Sequence, residues 1–166
     1  MDIRTNSIDI LKLGTGDAVQ TWHISDEIPK EKELISQSSA YCFLDDKFAI
    51  IKNKDGYWAI PGGHLEKGEN PKDTVIREVL EEACVVIKNP ELLGYQVIVK
   101  ADKSKIYQLR WFTKVEQVLD FKPEFESAEM KFVSPDEVGR YISWWNKSNG
   151  GRAELQEAIK KLNLTK

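Results

Sequence analysis

The sequence predicts an α/β fold, a mixed β-sheet sandwiched between helices in three α/β/α layers. Two observations predict it. Strand-like and helical periodicities alternate along the chain. Residues 106–118 also carry bulk on both faces, with Tyr107, Leu109 and Trp111 on one and Gln108, Arg110 and Phe112 on the other. A strand covered on both sides belongs inside a sandwich. At 166 residues, with 41% hydrophobic and 31% charged, the chain has the size and composition of one globular domain. Residues 1–36 read as an N-terminal extension of that domain and 134–166 as its C-terminal helices.

Within the extension, a short strand is expected around residues 19–24, ahead of a charged stretch at 26–33; Trp22 serves to anchor the extension to the body. Apolar runs at 39–44 and 47–52, separated by Asp45-Asp46, form a hairpin. Asn53 to Gly56 makes a second turn, and Tyr57-Trp58-Ala59-Ile60 runs into Pro61-Gly62-Gly63. Asn70 is an N-cap, Pro71 falls at the first helical position, and Asp73 adds negative charge to the first turn, so a helix begins there. Its apolar residues Val75, Ile76, Val79, Leu80 and Ala83 fall in one sector of roughly 140° and are expected to pack.

Long strands follow at 91–101 and 106–118, then a polar loop leading into a short strand that ends at Val133. Ser134-Pro135-Asp136-Glu137 is a capping box and predicts a helix through about Ser143. Leu155, Ile159 and Leu162 mark a terminal amphipathic helix over 152–163. Trp144 and Trp145 leave three uses open: packing on the sheet, a homodimer contact, or stacking on a base.

The chemistry concentrates in 77–82. Glu78, Glu81 and Glu82, at i, i+3 and i+4, gather on a helix face centred roughly 130° from the apolar one. Like charges at that spacing cost a few tenths of a kcal/mol per pair, so something cationic is expected among them. Hard divalent ions such as Mg²⁺ suit all-oxygen ligands and substrate phosphates, whereas no Cys or His pair lies nearby for a softer metal. The plainer alternative is a solvated acidic face.

Gly63, five residues, Glu69, seven residues, then Arg77-Glu78-Val79-x-Glu81-Glu82 resembles the Nudix box, the signature of the Nudix hydrolases, with Val79 and Val85 at its aliphatic positions. The lead-in W-x-x-P-G-G-x-x-E from Trp58 to Glu66 resembles the family too, and the resemblance covers about 38–145. Cys84 departs from the pattern, standing where the family usually has Gly. That position wants a left-handed C-cap, so Cys84 either adopts positive φ at some cost or lets the helix run on.

The resemblance implies a Nudix-type α/β/α sandwich. It also implies a pyrophosphohydrolase that cleaves a diphosphate linkage in a small nucleoside diphosphate derivative, by water attack at phosphorus with Mg²⁺ or Mn²⁺. On that reading the Gly63 carbonyl, Glu78 and Glu82 are metal ligands, Glu81 is a ligand or water-orienting base, and Arg77 fixes a carboxylate such as Glu69. Glu126, in the loop before the last strand, is an added ligand or general base, with Glu124 and Glu129 competing for that role. Trp58 either floors the substrate pocket or packs in the core. Two rivals stay open. One is a Nudix-like binding regulator without catalysis, whose usual mark, loss of box carboxylates, is absent here. The other is a prenyl diphosphate isomerase, whose catalytic cysteine motif is missing around Cys42.

A net charge of −3 gives no basic field, which argues against a dedicated partner of long nucleic acid. No stretch approaches about 20 apolar residues, so no membrane partner is expected. Cys42 and Cys84 form no CxxC and are read as reduced thiols packed as small hydrophobes in a cytoplasmic protein.

Overall fold

The computed structural model describes residues 8–13, 16–123, 127–143 and 145–166. Among these residues ten strands take part in the sheet arrangement. In chain order these are β1 (Ile8–Leu13), β2 (Gly16–Ile24), β3 (Ile35–Leu44), β4 (Lys47–Asn53), β5 (Trp58–Ala59), β6 (Gly62–His64), β7 (Val85–Ile87), β8 (Glu91–Val99), β9 (Lys105–Val118) and β10 (Ser127–Val133). The helices are α1 (Pro71–Ala83), α2 (Val138–Tyr141) and α3 (Asn149–Leu164). The main path runs β1-β2-β8-β9-β3-β4-β10, with β5 on β4, β6 on β3 and β7 on the end of β9. Among the described residues only β3 and β9 pair in parallel, Ala40 opposite Trp111, so the sheet is mixed as expected.

Strand alternation builds two separate cores. Tyr41, Phe43, Phe48, Ile50 and Phe112 point to one face and join α2, α3 and Trp145. Ala40, Cys42, Ala49, Ile51, Leu109 and Trp111 point to the other and join α1 through Val75, Val79 and Ala83. Burying both faces this way makes the sandwich. Among the described residues, no helix is long and apolar enough to cross a membrane.

Several details differ from expectation. The extension is part of the sheet: β2 is longer than its hydrophobic run suggests and pairs with β8, while β1, unmarked in the sequence, pairs with β2. Trp22 anchors it, fully buried in the α3-side core. The helix after the capping box is a single turn. Glu137 does reach back to the Ser134 N–H at 3.2 Å, but the helix stops at Ile142, φ −101° and ψ 87°, which, with Trp145, drops into the core. Packing of two large side chains outweighs continued helix propensity there. Trp145 meets Tyr41 edge-on, ring centroids 6.0 Å apart, whereas Trp144 lies outside the described residues.

Helix α3 starts earlier than its hydrophobic pattern, because Ser148 caps it by accepting the Gly151 N–H at 2.9 Å. A second cap comes from far away: Asp9 of β1 accepts the Asn149 and Gly150 N–H groups, each at 2.8 Å, and the Ser148 hydroxyl at 3.1 Å. Cys42 is buried as expected, but Cys84 is half-buried, its sulfur taking the Lys122 N–H at 3.5 Å.

Candidate active site

Helix α1 begins as its sequence dictates. Asn70 accepts the Asp73 N–H at 2.9 Å and Pro71 opens the first turn. A hydrogen-bonded line fixes its seat on the sheet, with the Trp111 indole donating to Ser38 at 2.6 Å and the Ser38 hydroxyl to the Pro71 carbonyl at 2.8 Å. At its other end Cys84 takes up the left-handed C-cap, φ 54° and ψ 38°, so the helix stops where a glycine would stop it.

The packed face is rotated from the one that periodicity suggests. Leu80 is 44% exposed, and Glu82 is buried at 8% beside Val75, Val79 and Ala83. The reason lies in the strand that faces it. β6 pairs with β3 and brings the Gly62 N–H to Glu82 Oε2 at 2.9 Å, so a carboxylate has a buried partner that Leu80 could not use. Glycine is required at Gly62, where the neighbours include backbone, and at Gly63 any side chain would displace the Glu78 carboxylate. A Cβ on Gly62 would stand 2.5 Å from the Ser38 carbonyl oxygen, and one on Gly63 would stand 2.5 Å from a Glu78 carboxylate oxygen. The turn is thus pressed onto α1 at two of its acids.

Arg77 is the hub of the acidic face. Its Nε and Nη2 hold Glu69 at 2.8 and 3.0 Å, its Nη1 donates to Glu78 at 2.9 Å and to Glu81 at 3.1 Å, and Nη2 also reaches the His64 carbonyl at 3.3 Å. Thr74 adds a hydroxyl to Glu69 at 2.5 Å. The hydrogen bonds from Arg77, joined by that from Thr74, pull the Glu69 carboxyl down to about 2, and Glu69 in turn holds the guanidinium above its ordinary range. The cation expected among the carboxylates is, in part, this arginine. Among the described residues, no three Asp, Glu, His or Cys side chains are gathered closely enough to hold a cation as they stand, and Arg77 Nη1 already takes up an oxygen of Glu78 and one of Glu81.

The donor set nonetheless suits a hard divalent cation. It consists of carboxylate oxygens of Glu78, Glu81 and Glu82 and the main chain of Gly63, where a side chain would fill the space against Glu78. Glu126 and Glu124 lie outside the described residues. Glu129, in β10, pairs with Lys52 at 3.2 Å.

On the opposite face of the sheet a cleft of about 880 Å³ opens between β1–β2 and the start of α3. Gly62 and Ser39 belong to its wall, so it adjoins the turn that contacts Glu82. Its floor holds Gln37 of β3 and Gln108 and Arg110 of β9, with Glu154 reaching in from α3. Arg110 pairs with Glu154 at 3.2 Å, well inside the sheet. Sequence reasoning missed Glu154, and the one available signal was a carboxylate on the apolar side of an amphipathic helix. Trp58 is outside the cleft lining; it is half-buried against Tyr141, ring centroids 5.4 Å apart.

Comparison with known proteins agrees with this arrangement. A family model described as NUDIX domain matches residues 36–154. The Nudix hydrolase YvcI of Bacillus subtilis is 37% identical over 89 residues, which cover 52% of this chain and 56% of that protein. An ADP-ribose pyrophosphatase of Methanocaldococcus jannaschii is 41% identical over 54 residues, 30% of this chain and 32% of that protein. The chain thus spans about half or less of the length of these curated relatives. A crystal structure of the Bacillus subtilis pyrophosphohydrolase BsRppH superposes with a TM-score of 0.71 at 18% identity, covering 92% of this chain and 97% of that one, a likeness of fold that extends past the matched family segment. With a box complete but for Cys84, and a family model matched over most of its length, the chain belongs to the NUDIX domain family.

Proposed function

We propose that this protein is a divalent-metal-dependent pyrophosphohydrolase that cleaves a diphosphate linkage in a nucleoside diphosphate derivative by water attack at phosphorus. The observation that carries the reading is the Gly62-Gly63 turn pressed onto Glu82 and Glu78 while Arg77 ties Glu69, Glu78 and Glu81 into one assembly. A merely solvated acidic face needs neither the buried carboxylate nor the close glycine turn.

The Gly63 carbonyl, Glu78 and Glu82 would hold the cation, with Glu126 as a further donor. Bound Mg²⁺ or Mn²⁺ supplies neutralisation of phosphate oxygens and a lowered pKa for water. The chain's own residues do the rest. Glu82, buried and anchored on Gly62, keeps the turn in register with α1. Arg77 orients Glu78 and Glu81 through a guanidinium that is itself immobilised on Glu69. Glu81, whose side chain is 31% exposed, is open to water and takes the proton of the attacking molecule. A water oxygen bonds to phosphorus, the bridging P–O bond breaks, and the electron pair leaves with the departing phosphate. No covalent nucleophile is required.

The test is phosphate release from nucleotide sugars, dinucleoside polyphosphates and oxidised nucleoside triphosphates, with a pyrophosphatase or phosphatase coupled in, with and without EDTA. Turnover that needs Mg²⁺ or Mn²⁺ supports the reading. Full turnover in chelator overturns it.

A further inference from the structure

The cleft and the acidic helix differ in charge. Around α1, Arg77 meets Glu69, Glu78 and Glu81, while Glu82 meets the Gly62 N–H, so carboxylates outnumber the guanidinium among these groups. Among the described residues the charged side chains lining the cleft are Asp9, Arg110, Lys147 and Glu154, two of each sign. A site balanced in this way gains little from an anion and discriminates instead by hydrogen-bond direction. Gly62 is common to both places, its backbone lining the cleft and its N–H meeting Glu82, so the cleft adjoins the acidic helix.

The donor geometry there is built, not incidental. Glu154 is 2% exposed and has both oxygens engaged: Oε1 accepts from the Tyr41 hydroxyl at 2.7 Å and Arg110 Nε at 3.2 Å, and Oε2 accepts from Gln96 Nε2 at 2.8 Å. Burial, reinforced by the Glu154 charge, pushes the Tyr41 hydroxyl well above its ordinary pKa, so it remains a donor. The guanidinium is then pinned a second and third time, Nη1 to the Leu109 carbonyl and Nη2 to Gln108 Oε1, each at 3.2 Å. Among the described residues these three bonds use three of the five N–H groups, leaving two donors, one on each terminal nitrogen, on a side chain that lines the cleft. Arginine has no acceptor, and a paired donor fork matches two adjacent acceptors, the arrangement that an oxo-purine presents at O6 and N7. A 6-aminopurine puts a donor in place of O6 and meets the fork badly. Leu11, Ile60 and Trp145 supply apolar wall beside this polar floor.

We propose that Arg110, held by Glu154 as its positioning residue, makes this cleft selective for nucleotides with an oxo-bearing purine over those with a 6-aminopurine. The proposal rests on the hydrolase reading for its biological use, but it can be tested without turnover. GMP and AMP have the same phosphate and no diphosphate linkage, so the difference between their calorimetric titrations in Mg²⁺ buffer measures the base alone. The wild-type protein binds GMP roughly ten- to a hundredfold more tightly than AMP. Arg110→Lys keeps the charge opposite Glu154 but loses the fork, so GMP affinity falls more than AMP affinity and the ratio between them drops to near one. Glu154→Gln lowers the same ratio by releasing the guanidinium, an effect on selectivity that a purely structural role would not produce.

Equal wild-type affinity for the two nucleotides overturns the proposal and needs no variant. Equal losses for GMP and AMP in Arg110→Lys show that the arginine reads phosphate, and also overturn it. Selective GMP binding by a protein without hydrolase activity would reject the function above and leave the cleft assignment standing.

Discussion

Arg77 grips Glu69 with two parallel hydrogen bonds, Nε to Oε2 at 2.8 Å and Nη2 to Oε1 at 3.0 Å, across a separation of eight residues. This fork joins the loop before α1 to the middle of the helix, and it leaves Nη1 to serve Glu78 and Glu81. The pair therefore stabilises the fold and orients the candidate site together.

Its pH dependence has a defined sign. Glu69 titrates near 2 in the folded protein against an ordinary 4.5, so the stabilisation is complete above about 4.5 and disappears as pH falls toward 2. Glu69→Gln should lose on the order of 1.5 kcal/mol of stability at pH 7. Denaturant midpoints of the two proteins should converge between pH 4.5 and 2. A gap that stays constant over that interval would show that the charge on Glu69 is not what stabilises the fold.

Glu82 should separate catalysis from folding. Glu82→Gln retains an oxygen to accept the Gly62 N–H but removes the charge, so turnover should drop about 100-fold, the equivalent of roughly 3 kcal/mol. Thermal unfolding in EDTA should change by less than about 1 kcal/mol, whereas Glu82→Ala, which orphans the Gly62 N–H, should cost about 1–3 kcal/mol. Near-normal turnover in the glutamine variant would reject Glu82 as a ligand.

At the end of α1, Cys84 occupies a left-handed conformation at φ 54°. Cys84→Gly removes that strain while giving the unfolded chain more freedom and forfeiting the Lys122 contact, so the net gain should be a few tenths up to about 1 kcal/mol. A clear fall in denaturant midpoint would mean that the half-buried thiol contributes more than the backbone strain costs.

Asp9 ties β1 to the first turn of α3 through three hydrogen bonds. Asp9→Ala should cost about 1 kcal/mol, the worth of a helix cap, and Asp9→Asn less because an amide oxygen still accepts. Hydrogen exchange should speed up at the Asn149 and Gly150 amides in the alanine variant; unchanged protection there would show that Ser148 alone caps the helix.

The sequence by itself determined what local rules govern. Asn70 and Pro71 start α1, Asp45-Asp46 closes the β3–β4 hairpin, and the two-faced bulk of 106–118 places β9 inside a sandwich, because caps, turns and strand alternation act over a few residues. The spacing from Gly63 to Glu82 likewise marked the acidic helix and its family before any coordinate. Tertiary structure decided the rest. That Glu82 is buried and Leu80 exposed depends on β6 delivering the Gly62 N–H from across the sheet. That β1 exists at all depends on partners in β2 and on a helix end 140 residues away at Asn149. Arg110 meets Glu154 only because parallel pairing with β3 puts β9 beneath α3. Hydrogen bonds and ion pairs between distant segments have no periodic trace in the chain, since their partners are chosen by how the layers pack and not by what stands next in sequence.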